Sequence, residues 1–220
     1  MSHRNAFREN SAVLSADVSE QRDRQVQQPG AGRPRDPEVD RSILQATREL
    51  LTETGYQKTT ISAISRRAKV GTAAIYRRWA TRESIVEDAI FGMQDVDLPT
   101  ATGDLHADLL AWTRMFLDRI AEPATRSAIP GLLSAYHHHE GVYERLVGRA
   151  ELPAREAMTV LLASAAPERT AEATQATANA VFDLLMSATT MRGLTVGLID
   201  AESFCARTAD ALTVLAESGV

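Results

Sequence analysis

The sequence predicts an all-α protein, on three observations. Alanine, the strongest helix former, supplies 35 of the 220 residues. Aromatic residues, which favour strands, make up only 5% of the chain, and the helix breakers are few at 12 Gly and 8 Pro. No segment alternates apolar and polar residues with the period of two that a half-buried strand needs, and no internal repeat is visible. The longest stretch free of Asp, Glu, Lys and Arg is Ser127–His139, 13 residues. A membrane-spanning helix needs roughly 20 apolar residues, so none is expected. The first 30 residues hold no apolar stretch of the secretory-signal kind. The single cysteine, Cys205, allows no internal disulfide and fits a reducing compartment. A cytoplasmic chain is the expectation.

The charge is unevenly placed. The whole chain carries 24 Lys+Arg and 29 Asp+Glu, a net of −5. Residues 33–82 alone are at +6, and the remaining 170 are at −11. Within 57–82 there are seven cations and no anion. A charge run usually marks a solvated face, but 26 residues without one interleaved carboxylate point to a polyanion partner. An acidic chain with one basic segment reads as two modules with different tasks.

The elements follow in chain order. Met1–Gly32 is polar, lacks an apolar stripe and reads as a disordered tail. Gly30-Ala31-Gly32-Arg33-Pro34-Arg35 is a flexible basic lead-in. Asp36-Pro37 starts the first helix, which runs to about Glu53 with Ile43, Thr47, Leu50 and Leu51 on one face. Gly55 closes it. Thr60 caps a short helix, Ile61–Ala68, whose Ile61, Ile64 and Ala68 share a stripe. Lys69-Val70-Gly71 is a three-residue turn, and Gly71 or Thr72 caps a helix to about Trp79 with Ile75 and Trp79 inward. Thr81 caps a fourth helix carrying Ile85, Val86, Ala89, Ile90 and Met93. Two short helices joined by so tight a turn make a helix-turn-helix. Asp97–Gly103 is a linker. The later helices are predicted at Asp104–Ala121, Thr125–His138, Val142–Ala165 with a break or kink at Pro153, Glu168–Gly193 and Ala201–Glu217.

The third helix has the chemistry of a DNA reader. Thr72, Ala73 and Ala74 in its first turn put little bulk between backbone and groove, and suit thymine methyls or one hydrogen bond. Arg77, one turn on, can pair bidentately with a guanine. Tyr76 offers a hydroxyl to a phosphate. Arg82 and the amide end of the second helix at Thr60 are further phosphate clamps. Arg33 and Arg35, on the arm, are placed to enter a minor groove. Trp79 belongs in the core. Arg66 and Arg67 face solvent or a nearby phosphate rather than bases.

Residues Arg41–Phe91 resemble the DNA-binding domain of the tetracycline-repressor (TetR) family. The resemblance is carried by Gly55-Tyr56, Thr59-Thr60-Ile61, Ile64, Ala68, Val70, Ile75-Tyr76-x-x-Trp79 and Arg82-Glu83-Ser84-Ile85, with correct spacing over about a quarter of the chain. The lead-in Gly32-Arg33-Pro34-Arg35 is also similar to many members. Two positions depart from the family pattern: Lys69 stands where Gly is usual in the turn, and Gly71 where Ser is frequent. Left-handed backbone costs a non-Gly residue ~1–2 kcal/mol, which a domain can absorb, and Gly caps nearly as well as Ser.

The resemblance implies a helical C-terminal domain that binds a small molecule and dimerises. It divides the chain into a tail (1–32), a three-helix helix-turn-helix domain (33–82), a connecting helix (83–96) and a helical ligand-binding and dimerisation domain (97–220). Helix 168–193 is apolar on two sides. Thr177, Ala180, Leu184, Ala188 and Met191 form one stripe; Ala178, Phe182, Leu185 and Thr189 form the other. With Phe204, Ala211, Leu212 and Leu215 of the last helix, the second stripe is the candidate for a four-helix dimer interface, while the sequence leaves open which of the two faces meets the partner. Trp112, Met115, Phe116, Leu133, Tyr136, Phe182 and Met186 are the large side chains available to a pocket. No cofactor and no metal are expected. His137-His138-His139 cannot converge on one ion, because successive helical residues lie about 100° apart. Asp104-x-His106-x-Asp108 reads as helix-start acids. No phosphate loop, nucleophile elbow or HExxH is present, so an enzyme is not expected.

The reading is a cytoplasmic, ligand-responsive repressor, a homodimer on double-stranded palindromic DNA, released by an unknown small-molecule effector. A same-fold activator or ligand-independent regulator is the near alternative. An all-α enzyme with an incidental basic patch is the distant one.

Overall fold

The computed structural model describes residues 36–92, 98–136 and 151–219. The tail 1–32, Arg33, Arg35, Met93, the His137–His139 run and the start of the predicted helix from Val142 lie outside the described residues. Every regular element among the described residues is helical.

The helix α1, Pro37–Thr54, buries Ile43, Leu44, Ala46, Thr47, Leu50 and Leu51. Its stop is local: Gly55 takes φ 83°, and its N–H still donates to the Leu51 carbonyl at 3.2 Å. A 3-10 turn at Tyr56–Lys58 leads to α2, Ile61–Ala68, capped by the Thr60 hydroxyl, which accepts from Ala63 N. Helix α3 is Thr72–Tyr76 and α4 is Arg82–Glu87, capped by Thr81 and continued by a π-helical turn, Asp88–Gly92. Ile43, Leu44 and Leu50 of α1 meet Ile64, Ile75, Trp79, Ile85 and Ala89 in one buried cluster. That cluster fixes the directions of α2, α3 and α4, short helices that could not persist alone.

Helix α3 is shorter than its predicted end at Trp79. Arg78 N and Trp79 N both donate to the Ile75 carbonyl, at 2.9 and 3.0 Å, so the chain tightens after Tyr76. The tightening turns the Trp79 ring into the core, 8% exposed.

Helices α5 (Leu105–Ala121), α6 (Pro123–Tyr136), α7 (Leu152–Ala165), α8 (Ala171–Thr195) and α9 (Ala201–Ser218) form the second half. Asp104 caps α5, and the buried Asp108 carboxylate accepts from Thr102 N and its hydroxyl. Both acids are thus helix-start acids, while His106 pairs with Asp210 on α9. Helix α6 starts two residues earlier than predicted, with Pro123 in its first turn, a position that wastes no N–H. Helix α8 starts at Ala171 behind a Thr170 cap, not at Glu168. Helix α5 packs on α8 and α9, and α8 packs on α7 and α9. Leu109, Trp112, Met158, Leu162, Val181, Phe182, Leu185 and Leu212 form their core. A third cluster joins the halves: Leu51, Tyr56, Val86 and Ile90 against Ala124, Ala128 and Leu132 of α6.

No helix among the described residues is long and apolar enough to cross a membrane. Among the same residues no group of three His, Cys, Asp or Glu side chains is placed to hold a metal ion.

Candidate nucleic-acid interface

The α2–turn–α3 unit is built around two side chains that face inward and a surface that does not. Ile64 and Ile75 are fully buried and set the distance between the helices. Lys69 closes α2 in left-handed backbone, φ 56°, with its N–H shared between the Arg66 and Ser65 carbonyls. Ser65 reinforces the turn by donating to the Val70 carbonyl at 2.6 Å. No heavy atom lies within 4 Å of a Cβ placed on Gly71, so the approach to α3 is open.

With Ile75 inward, the opposite face of α3 is presented to solvent. Thr72, Ala73 and Arg77 are exposed, Ala74 is half-buried, and Tyr76 is 58% exposed. An exposed tyrosine beside an exposed arginine on a five-residue helix has no packing role to explain it. Arg78, the neighbouring cation, is different. It forms an ion pair with Asp40 on α1 and donates to the Ala74 carbonyl at 3.0 Å. Arg77 is therefore the arginine that the unit presents, and Arg78 the one that holds the unit down. The sequence singled out Arg77 and gave Arg78 no role, because its partner Asp40 lies 38 residues away.

The two outer clamps have internal work. Thr60 Oγ1 is spent as the cap of α2, and Thr60 and Ser62 are exposed in the first turn. Arg82 lies over the Tyr56 ring at 4.3 Å and donates to Glu83, to which the Tyr56 hydroxyl also donates at 3.2 Å. Burial pushes the Glu83 carboxyl up, but its own backbone N–H and the Arg82 guanidinium outweigh that and hold it below the usual carboxylate range. Arg67 is bound to Glu49 and Glu53 on α1, so it serves the surface of the unit rather than its reading face.

In the second half the predicted pocket residues divide. Trp112 and Phe182 are fully buried, with Met115, Phe116 and Met186 packed against the same core. Phe116 stacks on both aromatics, 6.0 Å from Trp112 and 5.8 Å edge-on to Phe182. Arg155 lies over Phe182 at 4.5 Å and donates to Asp183. Leu133 is not with them: it is 51% exposed, because Leu132 takes the inward position of α6. Tyr136 is also elsewhere, in the cluster that joins the halves. A cleft of about 170 Å³ opens among Leu105, Leu162, Arg169 and Glu217, and none of the seven residues lines it.

The assignment of Ala178, Phe182, Leu185 and Thr189 to a dimer interface is corrected. All four are buried within the subunit, where α8 meets α5, α7 and α9, and cannot reach a second copy. Leu212 is buried beside them, and Leu215 packs on the same core. Phe204 is half-buried beneath the Arg192 guanidinium, and Ala211 is exposed. Of the opposite stripe of α8, Thr177 is buried and Ala180 and Ala188 are half-buried, while Leu184 and Met191 face out, 54% and 66% exposed.

Comparison with known proteins agrees with this geometry. Residues 43–89 match the family described as bacterial regulatory proteins, tetR family. Residues 99–212 match a tetracycline repressor-like C-terminal domain. An uncharacterized HTH-type transcriptional regulator of Mycobacterium bovis, Mb1581, is 33% identical over 100 residues, 43% of this chain and 50% of that protein. The chain thus spans about half the length of the curated relatives it matches. The crystal structure of the TetR family regulator SCO0332 superposes with a TM-score of 0.60 at 23% identity, covering 80% of this chain and 97% of that one. A TetR regulator from Agrobacterium tumefaciens superposes with a TM-score of 0.61 at 17% identity, covering 84% and 100%. These two share the fold. Between them the family matches take in both the α2–α3 unit and the helical half behind it, and the chain belongs to the TetR family of bacterial regulatory proteins.

Proposed function

We propose that the chain is a one-component repressor that binds a palindromic operator as a homodimer and leaves it when a small molecule occupies the helical domain 97–220. The observation that carries this reading is the outward face of α3. Thr72, Ala73, Tyr76 and Arg77 project from a helix whose other side is locked by Ile75, Arg78 and Trp79. A side chain that reads bases must be held by a rigid frame and otherwise left uncovered, and α3 meets both conditions. Residues 33–82 make the DNA-binding unit and 83–96 the connection. Arg77 and the small residues Thr72, Ala73 and Ala74 read bases. Tyr76, Arg82 and the first turn of α2 at Thr60 meet phosphates, with Arg33 and Arg35 on the arm. Trp112, Met115, Phe116, Phe182 and Met186 are the side chains around which an effector is accommodated. The effector acts only through a difference in affinity for the DNA-competent and released conformations.

For the dimer, the exposed Leu184 and Met191 of α8 with the half-buried Ala188 between them, and Ala211 and Val214 of α9, replace the buried stripe. An apolar stripe on two adjacent helices is what a two-fold four-helix contact requires. A dimer sets two α3 helices about one turn of DNA, ~34 Å, apart and so reads a palindrome.

Selection of bound duplexes from a random DNA pool at ~150 mM salt tests the reading. Recovery of a palindrome is the expected result, and Tyr76→Ala then weakens binding to every duplex while Arg77→Ala relaxes the choice at one position. Recovery of no sequence above background overturns it.

A further inference from the structure

A helix of five residues does not hold its own direction, so α3 points where the groups gripping its ends place it. At its C-terminal end the Trp79 indole Nε1 donates to Asp88 Oδ2 at 2.7 Å. Asp88 opens the π-helical turn that ends α4. Such turns are rare and occur frequently at functional sites. Here a side chain from another helix supports it: Arg48 of α1 donates through Nη1 to the Ala89 carbonyl at 2.7 Å. The same guanidinium donates through Nη2 to Glu122 Oε2 at 2.5 Å. Glu122 is the corner residue between α5 and α6. One planar fork therefore holds two acceptors, one in the turn that positions Trp79 and one in the helical half.

Building on the reading of the chain as a DNA-binding regulator, we propose that Arg48 is a positioning residue for DNA binding. By tying the α5–α6 corner to the π-helical turn, it passes the position of that corner through Asp88 and Trp79 to α3. Arg48 keeps both acceptors only while the corner stays beside α1. A corner that withdraws strands either the Ala89 carbonyl or the Glu122 carboxylate, which gives the link two discrete arrangements rather than a graded one. The route differs from the seam at Tyr56 and Leu132, which packs the halves together and whose Tyr56 hydroxyl goes to Glu83.

The test is a double-mutant cycle on the full chain with the selected palindromic duplex. Glu122→Gln weakens operator binding about fivefold with an unchanged salt slope, since no phosphate contact is lost. Arg48→Lys, which keeps the charge but lacks the fork, does the same. Trp79→Phe weakens binding as well, and Glu122→Gln adds nothing further in that background. If Trp79→Phe fails to fold, Asp88→Ala takes its place. Glu202→Gln, which removes the exposed ion pair with Arg114, leaves binding unchanged and serves as control. Additive effects, or an unchanged affinity for Glu122→Gln, overturn the proposal. A second measurement needs no DNA. In a Trp112→Phe chain, emission comes from Trp79 alone, and Glu122→Gln shifts it. An unmoved emission overturns the link, and a shifted one upholds it even where selection recovers no operator and the regulator reading fails.

Discussion

A Cβ placed on Gly131 of α6 would sit 2.1 Å from Cδ1 of the Tyr56 ring, far inside the contact distance of non-bonded carbon atoms. The ring has nowhere to go. It is 7% exposed, Arg82 lies over it, and its hydroxyl is bound to Glu83. Ordinarily Gly→Ala inside a helix gains about 1 kcal/mol. Overpacking a buried contact costs about 1–3 kcal/mol, and here it wins. Gly131→Ala is therefore expected to lower the urea midpoint of unfolding. In a Tyr56→Ala background, where the space is open, the same substitution should raise it. A stabilising effect in the native background would sink the argument.

The turn between α2 and α3 offers the opposite sign. Lys69 occupies left-handed backbone, φ 56° and ψ 37°, and is exposed, so its side chain repays none of the strain by packing. That backbone costs a non-Gly residue ~1–2 kcal/mol, and glycine's extra freedom in the unfolded chain returns about half of it. Lys69→Gly should stabilise the protein by about 0.5–1 kcal/mol in urea, with the slope of the transition unchanged. A loss of stability would mean that the turn relies on the lysine for something its backbone does not show.

The same turn shows what was legible in the sequence. Helix starts were readable because caps are local: Thr60, Thr81 and Asp104 all bond the N–H three residues on, as their positions promised. The inward face of each short helix was readable too, since Ile64, Ile75 and the Ile85-Val86 pair are large apolar residues among mostly small or polar neighbours. Helix α8 was not. It is rich in alanine and apolar on two sides, and periodicity says which residues share a face without saying which face is inward. The larger Phe182 belonged inside, and the stripe that held it was given to a partner instead. The Arg48 bonds, 41 and 74 residues away in sequence, leave no local trace at all.

The corrected face of α8 makes its own prediction. Leu184, Met191 and Val214 are each more than half exposed. A charge at the centre of an apolar two-fold contact meets its own copy across the axis. Leu184→Glu or Met191→Glu should convert a dimer to a monomer by light scattering while the helical circular-dichroism signal and melting of the subunit stay close to native. Phe182→Ala is the contrast. It empties a site at the middle of the core and should cost ~3–5 kcal/mol of stability before any change in assembly. Dissociation by Phe182→Ala with Leu184→Glu still dimeric would return the interface to the other stripe.

Alkaline pH probes the seam between the halves. Burial pushes the Tyr136 phenol well above its ordinary range, and the Glu87 carboxylate beside it pushes the same way. Tyr56, in the same cluster, is raised by burial, with Arg82 opposing and Glu83 adding. Both phenols are thus held neutral by the fold, whereas an unfolded tyrosine releases its proton near pH ~10. The unfolded chain binds fewer protons above that pH, so stability contributed by these groups is whole below pH ~10 and falls as pH rises toward the folded values. Urea unfolding followed from about pH 8 to about pH 11 should show a loss confined to the upper part of that range. Tyr136→Phe removes one of the two groups and should make the loss shallower, because phenylalanine has no proton to release on unfolding. An identical slope in wild type and Tyr136→Phe would show that the phenol at residue 136 ionises in the folded chain as readily as in the unfolded one, and that the α6 end of the seam is open to water.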